Sequence, residues 1–405
     1  MKKASNMYND ICNIENILKT YNSQVKINTK NKRKIEKFED YLVENIVLIK
    51  TILEEKKYIS QKYNIFMVKE PKARIIMSQT IQDKIINHIV SKYLLLNIFE
   101  KTLIDSNVAT RKSKGTHYGI QLTKRYLSEI NRKYNSTYIL KCDIKKYFYT
   151  IDHKVLKTKI IKKVKDKDAL DIIFKIIDST NEDYINNDLN NIKKNEKERI
   201  KTLNITEKEK QKKIKEVEKI PLYESEKGIP IGNMSSQVFA LIYLNDLDHY
   251  IKEVLKIKYY VRYMDDFILI HHDKKYLRYC LNIIRNKIEE EYKLVLNEKT
   301  EIINIKNGLD FLGFRFYIKN NKLILKVRNQ TKRRFKKRIN KLNKLYSNEE
   351  INKKDITQTI ASYKGHLKYG NTQSLTDNTL KEINNKMLEE IKELVNNLTE
   401  VDTSK

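Results

Sequence analysis

The sequence predicts an α+β protein in which a small antiparallel sheet carries carboxylates and helices surround it. Residues 259–270 form an apolar, aromatic and β-branched run typical of two short buried strands, and the adjacent Asp265 and Asp266 interrupt this run. Residues 138–152 contain a second apolar strand that ends at Asp143. Segments on either side of these strands show apolar residues at helical spacing instead.

Charged side chains within an apolar strand pair need a partner. A buried carboxylate costs several kcal/mol unless it is paired or bound to a metal, and a tight turn between antiparallel strands can hold a divalent cation. The alternative is that Asp265 and Asp266 form a turn that faces solvent. Together with Asp143 they match the carboxylate set of two-metal phosphoryl transfer, in which two Mg²⁺ ions lie about 3.5–4 Å apart.

The cysteines offer no competing metal site. Cys12, Cys142 and Cys280 are scattered singly, without the spacing of zinc ligands or an even number for disulfides. This pattern is typical of a reducing compartment. Oxygen ligands of the kind that Mg²⁺ prefers are therefore the main candidates.

With these motifs the sequence resembles the reverse transcriptases. Residues 263–266 (Tyr-Met-Asp-Asp) resemble the catalytic box of that family, and residues 143–152 resemble its first catalytic motif in the form found in bacterial group II intron-like enzymes. The resemblance covers roughly residues 60–320, and several ordered matches are much more specific than one Asp-Asp pair. Five further segments match in family order: 66–74, 114–119, 228–237, 294–300 and 311–314.

The resemblance implies a right-hand polymerase, with fingers, a palm of antiparallel sheet plus helices, and a helical thumb. Residues 179–219 are rich in Asn, Lys and Glu, and we expect them to form a solvated helical or partly disordered insertion in the palm, atypical of the family. The expected divisions are an N-terminal helical extension at 1–60, fingers at 61–135, a palm at 136–320, and a thumb with a C-terminal helix at 321–405.

The implied activity is RNA-directed DNA polymerisation, in which dNTPs extend a primer along an RNA template and produce an RNA–DNA duplex. The resemblance implies that Asp143, Asp265 and Asp266 hold two Mg²⁺ ions, with Mn²⁺ as a substitute, and that the carbonyl of Ile144 is a further ligand. Asp152 either joins these carboxylates or caps a helix.

Six residues match positions that contact the nucleotide in the family. Lys69 and Arg74 would neutralise the triphosphate, a role that suits the planar fork of arginine. Phe148 would lie under the sugar and exclude a 2′-hydroxyl group, unless it is a core aromatic. Lys299 would protonate the leaving pyrophosphate. The full set is Lys69, Arg74, Phe148, Gly232, Gln237 and Lys299.

Charge and the later motifs favour a nucleic-acid partner. The chain carries 82 Lys and Arg against 52 Asp and Glu, a net charge of +30, which suits a polyanion. An AT-rich genome explains abundant Lys and Asn but not this excess over acids. Residues 331–342 predict a basic amphipathic helix for the duplex backbone, although a solvated charged face is the alternative. The implied contacts are Phe311, Leu312 and Gly313 as primer grip and Lys332, Arg333, Arg334, Lys337 and Arg338 at the backbone.

One motif departs from the common family pattern. Most reverse transcriptases have Gln-Gly and Ser-Pro where this chain has Ile231-Gly232 and Ser236-Gln237. This form resembles the enzymes of diversity-generating retroelements, which misincorporate opposite template adenine, and related forms occur among phage-defence reverse transcriptases. The sequence leaves both open.

Two other classes of protein compete with this interpretation. A catalytically silent RNA-binding protein on a polymerase scaffold would have little reason to retain the three aspartates. Among other palm-fold enzymes, Phe148 argues against an RNA-dependent RNA polymerase, and the fingers and thumb argue against a nucleotide cyclase. No stretch reaches the ~18–20 apolar residues of a membrane span, so we expect a cytoplasmic protein without a membrane partner, working with an accessory protein or as a homo-oligomer.

Overall fold

The computed structural model describes residues 7–70, 72–348 and 350–370. Within these ranges, no helix is both long enough and apolar enough to cross a membrane. Residues 380–398, where the sequence predicts a final helix, lie outside the described residues.

The N-terminal part is helical. The chain turns at Asp40 and Tyr41 between two helices, and Tyr41 is 64% exposed there. Ile35 and Ile46, on the helices that flank this turn, are buried. The helices are α1 (Tyr8–Cys12), α2 (Ile14–Thr20), α3 (Lys32–Glu39) and α4 (Leu42–Glu54), with a π-helical turn at Tyr21–Lys26.

A two-stranded hairpin and a helical layer follow. Strands β1 (Asn64–Val68) and β2 (Arg74–Ser78) pair antiparallel. Thr80 then caps the next helix by accepting a hydrogen bond from the backbone N–H of Asp83. The helices of this layer are α5 (Ile81–Ile89), α6 (Asn97–Phe99) and α7 (Thr116–Lys133), with a π-helical segment at Val90–Leu96.

A four-stranded antiparallel sheet lies at the centre of the molecule, with strand order β4-β5-β3-β6. Side chains alternate along its strands: Leu140 and Leu269 belong to one apolar cluster, and Ile139 and Ile268 belong to another on the opposite face. Both faces are therefore buried. The strands are β3 (Tyr138–Asp143), β4 (Tyr259–Tyr263), β5 (Asp266–His271) and β6 (Glu301–Asn304).

Helices between and after these strands cover the first of these faces. The helices in this part of the chain are α8 (Tyr147–Thr150), α9 (His153–Ile161), α10 (Lys167–Ile177), α13 (Met234–Tyr243), α14 (Asn245–His249), and α15 (Lys274–Glu290), with α11 (Asp183–Lys201) and α12 (Glu207–Glu218) between α10 and α13. The α+β fold class predicted from the sequence is confirmed.

Helices α11 and α12, which we call the helical insertion, fall within residues 179–219. Of the two expected forms, a solvated helical or a partly disordered insertion, the described structure has the helical one, and one side of these helices shares an apolar cluster with the β1–β2 hairpin. The Tyr184 hydroxyl accepts a hydrogen bond from the backbone N–H of Tyr63 at 2.9 Å. The cluster consists of Tyr63, Ile75, Met77, Ile185, Leu189, Ile220 and Tyr223.

The C-terminal part of the described chain is a three-stranded antiparallel sheet followed by two helices. Leu312 and Gly313 connect the first two strands, both with positive φ, as a two-residue turn of type I′ requires. The elements are β7 (Leu309–Phe311), β8 (Phe314–Lys319), β9 (Lys322–Val327), α16 (Asn329–Ser347) and α17 (Lys353–Leu367).

Candidate active site

Three aspartates meet at one end of the central sheet. Strands β4 and β5 are joined by a two-residue turn, Met264-Asp265, because Tyr263 pairs with Asp266. Asp143, the last residue of β3, pairs directly with Asp266. Met264 has φ of 57°, a left-handed conformation that strains a side chain other than glycine. The sheet register thus brings together the three carboxylates predicted from the sequence.

A buried arginine supports this strained turn from behind. Arg262 donates hydrogen bonds to the carbonyl oxygens of Met264 at 3.0 Å and Leu241 at 3.3 Å. Its guanidinium is paired with Asp248 at 2.6 and 2.7 Å, and both side chains are fully buried. Tyr260 donates a further hydrogen bond to Asp248 at 2.7 Å. The turn therefore rests on a fixed polar network in the core.

The three carboxylates have raised pKa values. Burial, followed by the neighbouring charge of Asp143, raises the pKa of Asp265 to about 6. Burial is also the largest cause at Asp266, whose pKa rises to about 7 with the charges of Asp143 and Asp265 contributing. The pKa of Asp143 is raised too, mainly by burial. Groups that repel each other in this way are arranged to receive positive charge.

The oxygen atoms at this site fit divalent cations. Asp266 Oδ1 is buried and has no hydrogen-bond partner among the described residues. Ile144 forms an isolated antiparallel bridge with Leu296, but the hydrogen bonds of this bridge join the neighbouring residues, Lys145 with Val295 and Asn297 with Asp143. The Ile144 carbonyl oxygen takes part in neither of these bonds. Asn297 donates a hydrogen bond to Asp143 Oδ2 at 2.9 Å and so orients that carboxylate. These oxygens are the donors that Mg²⁺ and Mn²⁺ accept.

We expect a pH-dependent response to Mg²⁺. The folded-state pKa values of Asp265 and Asp266, about 6 and about 7, exceed the ordinary value of 3.8, so the metal-free folded protein retains protons that the unfolded chain releases. Stability without metal should therefore fall as pH rises from about 4 to about 7. Mg²⁺ binds the deprotonated carboxylates, so its stabilising effect should grow over the same range.

Thermal unfolding between about pH 5 and about pH 8, with Mg²⁺ or with a chelator, measures this response. Asp266→Asn is the matched control, because it removes the charge without removing the side chain and should flatten the decline seen in chelator. A Mg²⁺-induced change in Tm that is the same at both ends of the range would contradict the expectation.

The basic residues whose charges act on the aspartates include some, but not all, of the basic residues that the sequence predicts at the nucleotide site. Burial is the main cause of the raised carboxyl pKa values, and nearby cations oppose it: Lys141, Lys72 and Lys299 act on Asp143, and Arg74 acts on Asp265. Lys72 follows the hairpin turn and was not singled out from the sequence.

Lys69 of the β1–β2 hairpin contacts the helical insertion. Its ammonium group is 2.8 Å from Glu196, and Glu196 also pairs with Arg199. The role of Lys69 at the triphosphate stays a prediction, and in this structure the side chain is paired with Glu196. The charges of Lys72 and Arg74 act on Asp143 and Asp265 respectively, which makes both residues candidates for that role.

The other expected nucleotide contacts are placed as follows. Phe148 is half-buried, and its backbone carbonyl accepts a hydrogen bond from the N–H of Ile229 at 2.7 Å. The Gln237 amide oxygen accepts a hydrogen bond from Thr110 at 3.0 Å. Gly232 has φ of 131°, and a Cβ atom there would lie 3.0 Å from the Met77 carbonyl oxygen of β2. The close approach that requires glycine is thus one to the hairpin.

The primer-grip and thumb residues lie on consecutive elements. Phe311 is buried at the end of β7, and Leu312 and Gly313 form the turn. In α16, the apolar face predicted from the sequence is buried, and the basic residues lie elsewhere on the helix. Lys332 is half-buried, whereas the other four predicted backbone contacts are exposed: Arg333, Arg334, Lys337 and Arg338.

Asp152 does not join the three aspartates. Its carboxylate caps α9 by accepting a hydrogen bond from the Val155 N–H at 2.9 Å, which was the alternative left open by the sequence. The neighbouring His153 lies with Asp178 and Glu226 in a group whose ligand atoms are within 4.8 Å of one another. Both ring nitrogens of His153 already face oxygen acceptors, Asp178 and the Gly228 carbonyl.

Comparison with protein families identifies the class to which this fold and site belong. The model of the family "Reverse transcriptase (RNA-dependent DNA polymerase)" matches residues 67–316, which is more than half of the chain. The chain therefore belongs to the reverse transcriptase family. A search of curated proteins finds no match.

Solved structures with detectable similarity include two telomerases. The telomerase of Candida albicans, in complex with a fragment of telomeric RNA, is 14% identical, with a TM-score of 0.40 over 71% of this chain and 50% of the other. The telomerase of Candida tropicalis without its C-terminal domain is 15% identical, with a TM-score of 0.42 over 70% and 60% of the two chains. The chain thus spans 50% and 60% of the length of these two structures.

Proposed function

We propose that this protein is an RNA-directed DNA polymerase that copies RNA into cDNA. The observation that carries the proposal is the meeting of Asp143, Asp265 and Asp266 at one sheet end in a chain of the reverse transcriptase family. The RNA template, a primer and dNTPs are its proposed substrates.

Each group has a definite task in this proposal. The three aspartates and the Ile144 carbonyl hold two Mg²⁺ ions, which supply activation of the attacking hydroxyl and stabilisation of the leaving oxygen when bound. Lys72 and Arg74 neutralise the triphosphate. Arg262 holds the Met264 carbonyl and so fixes where the Asp265 side chain begins.

Primer extension tests the proposal. The purified protein, a defined RNA template with an annealed DNA primer, dNTPs and Mg²⁺ should yield full-length cDNA, and omission of Mg²⁺ should abolish it. Tight RNA binding without any extension, under Mg²⁺ and Mn²⁺ alike, would favour the rival interpretation as an RNA-binding protein on a polymerase scaffold.

Sugar selection gives a first specific prediction. Phe148→Val should let rNTPs enter, because the ring is proposed to occupy the space of the 2′-hydroxyl, and the ratio of dNTP to rNTP incorporation should fall about 10-fold or more. Phe174→Val, at a half-buried aromatic of α10, is the matched control and should leave the ratio unchanged. An unchanged ratio in folded Phe148→Val would make Phe148 a packing residue only.

Within the family, the proposed setting is a diversity-generating retroelement, with domesticated phage defence as the alternative. The supporting feature is Ile231, the aliphatic residue at the position where most members have Gln. Its backbone carbonyl accepts a hydrogen bond from the Met77 N–H at 2.9 Å, so it lies where the hairpin meets the rest of the site.

Copying fidelity tests this setting. Loss of one polar contact near the nascent base pair is worth roughly 1–3 kcal/mol, or about 5- to 150-fold in selectivity. Wild-type cDNA should carry errors concentrated at template adenines, Ile231→Gln should lower them, and Ile231→Val should not. Uniformly low errors in wild-type products, measured by deep sequencing, would leave phage defence as the better account.

A further inference from the structure

A row of five rings lies at the end of the central sheet opposite the three aspartates. We call it the ring row: Tyr134, which follows α7, His272 and His271 at the end of β5, and Tyr276 and Tyr279 of α15. The Tyr134 and His272 rings are stacked, with centroids 3.9 Å apart and planes 3° from parallel. The remaining centroid distances along the row are 4.4, 5.0 and 6.0 Å.

The ends of the ring row are open to solvent. The side chains of Tyr134 and Tyr279 are 41% and 55% exposed. Each end ring therefore has a surface that no group of residues 7–70, 72–348 and 350–370 covers. Such rings are the platforms on which successive bases of single-stranded nucleic acids stack, irrespective of sequence, because every base has a π-face.

The charge around the ring row is positive. Lys133, Lys275 and Arg278 are exposed, and none of them has a carboxylate partner among the described residues. Lys274 lies 5.9 Å from the centre of the Tyr138 ring. Asp273 is the acidic residue of this segment, and its carboxylate is engaged in capping α15. Unpaired cations beside stacked rings provide the phosphate contacts that strand binding needs.

A cavity lies on the side of the central sheet between residues that neighbour the ring row and residues that neighbour the primer-grip turn. Asp266 and His271 are the two ends of β5, so the row begins about 17 Å from the aspartates. The cavity, of about 400 Å³, is lined by Tyr138 and Lys274, which neighbour the row, and by Asp310 and Arg315, next to the primer-grip turn. Lys141 and Glu301 also line it. Side chains near the row and side chains near the primer-grip turn thus border one cavity.

We infer that the ring row is a second nucleic-acid site, which binds a single-stranded segment of RNA outside the catalytic cleft. Bases stack on Tyr134 and Tyr279, and phosphates lie against Lys133, Lys275 and Arg278. The inference rests on the proposed function only for the choice of RNA as the nucleic acid. Such a site holds the RNA independently of base pairing between the RNA and the primer.

Binding of labelled RNA to the full chain tests this site. The catalytic cleft is first filled with an unlabelled RNA–DNA primer-template hybrid, and a short fluorescein-labelled single-stranded RNA is then titrated by anisotropy. Tyr134→Ala/Tyr279→Ala should weaken binding at least about 10-fold. Tyr41→Ala, at a tyrosine that is 64% exposed on the N-terminal helices, should bind as wild type.

A second arm tests the charges. Lys275→Glu/Arg278→Glu should weaken binding and reduce its dependence on salt, whereas Lys212→Glu/Lys213→Glu on α12 should do so much less. Photo-cross-links from 4-thiouridine RNA in the wild type should map to peptides containing Tyr134 or Tyr279, a readout that needs no variant.

Two results would overturn the inference. One is unchanged RNA affinity in the folded tyrosine variant, with cross-links elsewhere. The other is loss of self-association or of a protein partner in that variant while RNA affinity is retained, which would make the row a protein interface. Primer extension on a hybrid that fills only the cleft should survive in these variants. Absence of extension in the wild type would instead defeat the proposed polymerase and leave the affinity comparison intact.

Discussion

Asp265→Ala is expected to abolish nucleotide incorporation while RNA binding stays close to the wild-type level. The carboxylate is proposed to hold metal, whereas affinity for nucleic acid comes from lysines and arginines. The expected loss in rate is at least about 1,000-fold, which corresponds to about 4 kcal/mol of transition-state stabilisation. Asp266→Ala should behave in the same way, and the double variant should be no more defective than either alone.

The measurement is single-turnover primer extension beside an RNA-binding titration. Asp246→Ala is the matched control, because Asp246 is an exposed aspartate whose partner is Lys159 at the surface. Full-length extension by Asp265→Ala/Asp266→Ala would refute the assignment of the metal site. Loss of RNA binding together with extension would point to misfolding.

Asp248→Ala is expected to be strongly destabilising. It leaves the fully buried guanidinium of Arg262 without its counter-charge, and breaking a buried pair in this way costs about 3–5 kcal/mol. Extension should also decline, since Arg262 is free to shift and holds the Met264 carbonyl at the strained turn. Urea denaturation, followed by circular dichroism, measures the stability change.

Asp246→Ala again provides the comparison, now for stability. Asp246 lies two residues away on the same short helix and makes an ion pair with Lys159, but its side chain is 60% exposed. Solvent-exposed pairs contribute about 0–1 kcal/mol. Similar small losses in both variants would show that Arg262 finds other partners and that the network does not support the turn.

The parts of the structure that could be predicted from the sequence are those with a strict period or a specific motif. Asp143 and Asp266 end up as cross-strand partners because each interrupts an apolar strand at its end. The buried face of α16 follows from Phe335, Ile339 and Leu342 at helical spacing. In both cases the local sequence pattern agrees with the tertiary environment of the residue, so the environment can be predicted from the pattern alone.

Other features depend on contacts between distant parts of the chain. Lys69 pairs with Glu196 of the helical insertion, a residue 127 positions later whose proximity no local pattern indicates. The position of Arg262 within an apolar run does indicate a buried ion pair, because a charge in a buried strand requires a partner. The partner, Asp248, is 14 positions earlier and is not distinguishable by spacing from its exposed neighbour Asp246.

The shared apolar cluster of the β1–β2 hairpin and the helical insertion constrains how the enzyme can move. Any displacement of the hairpin must carry α11 and α12 with it, because separating them would expose Ile185 and Leu189. The same hairpin contacts Ile231 and Gly232 through the backbone of Met77, so the insertion, the hairpin and these two residues form one connected unit. Substitutions of Ile185 or Leu189, which lie far along the chain from Asp143, Asp265 and Asp266, should then alter nucleotide affinity.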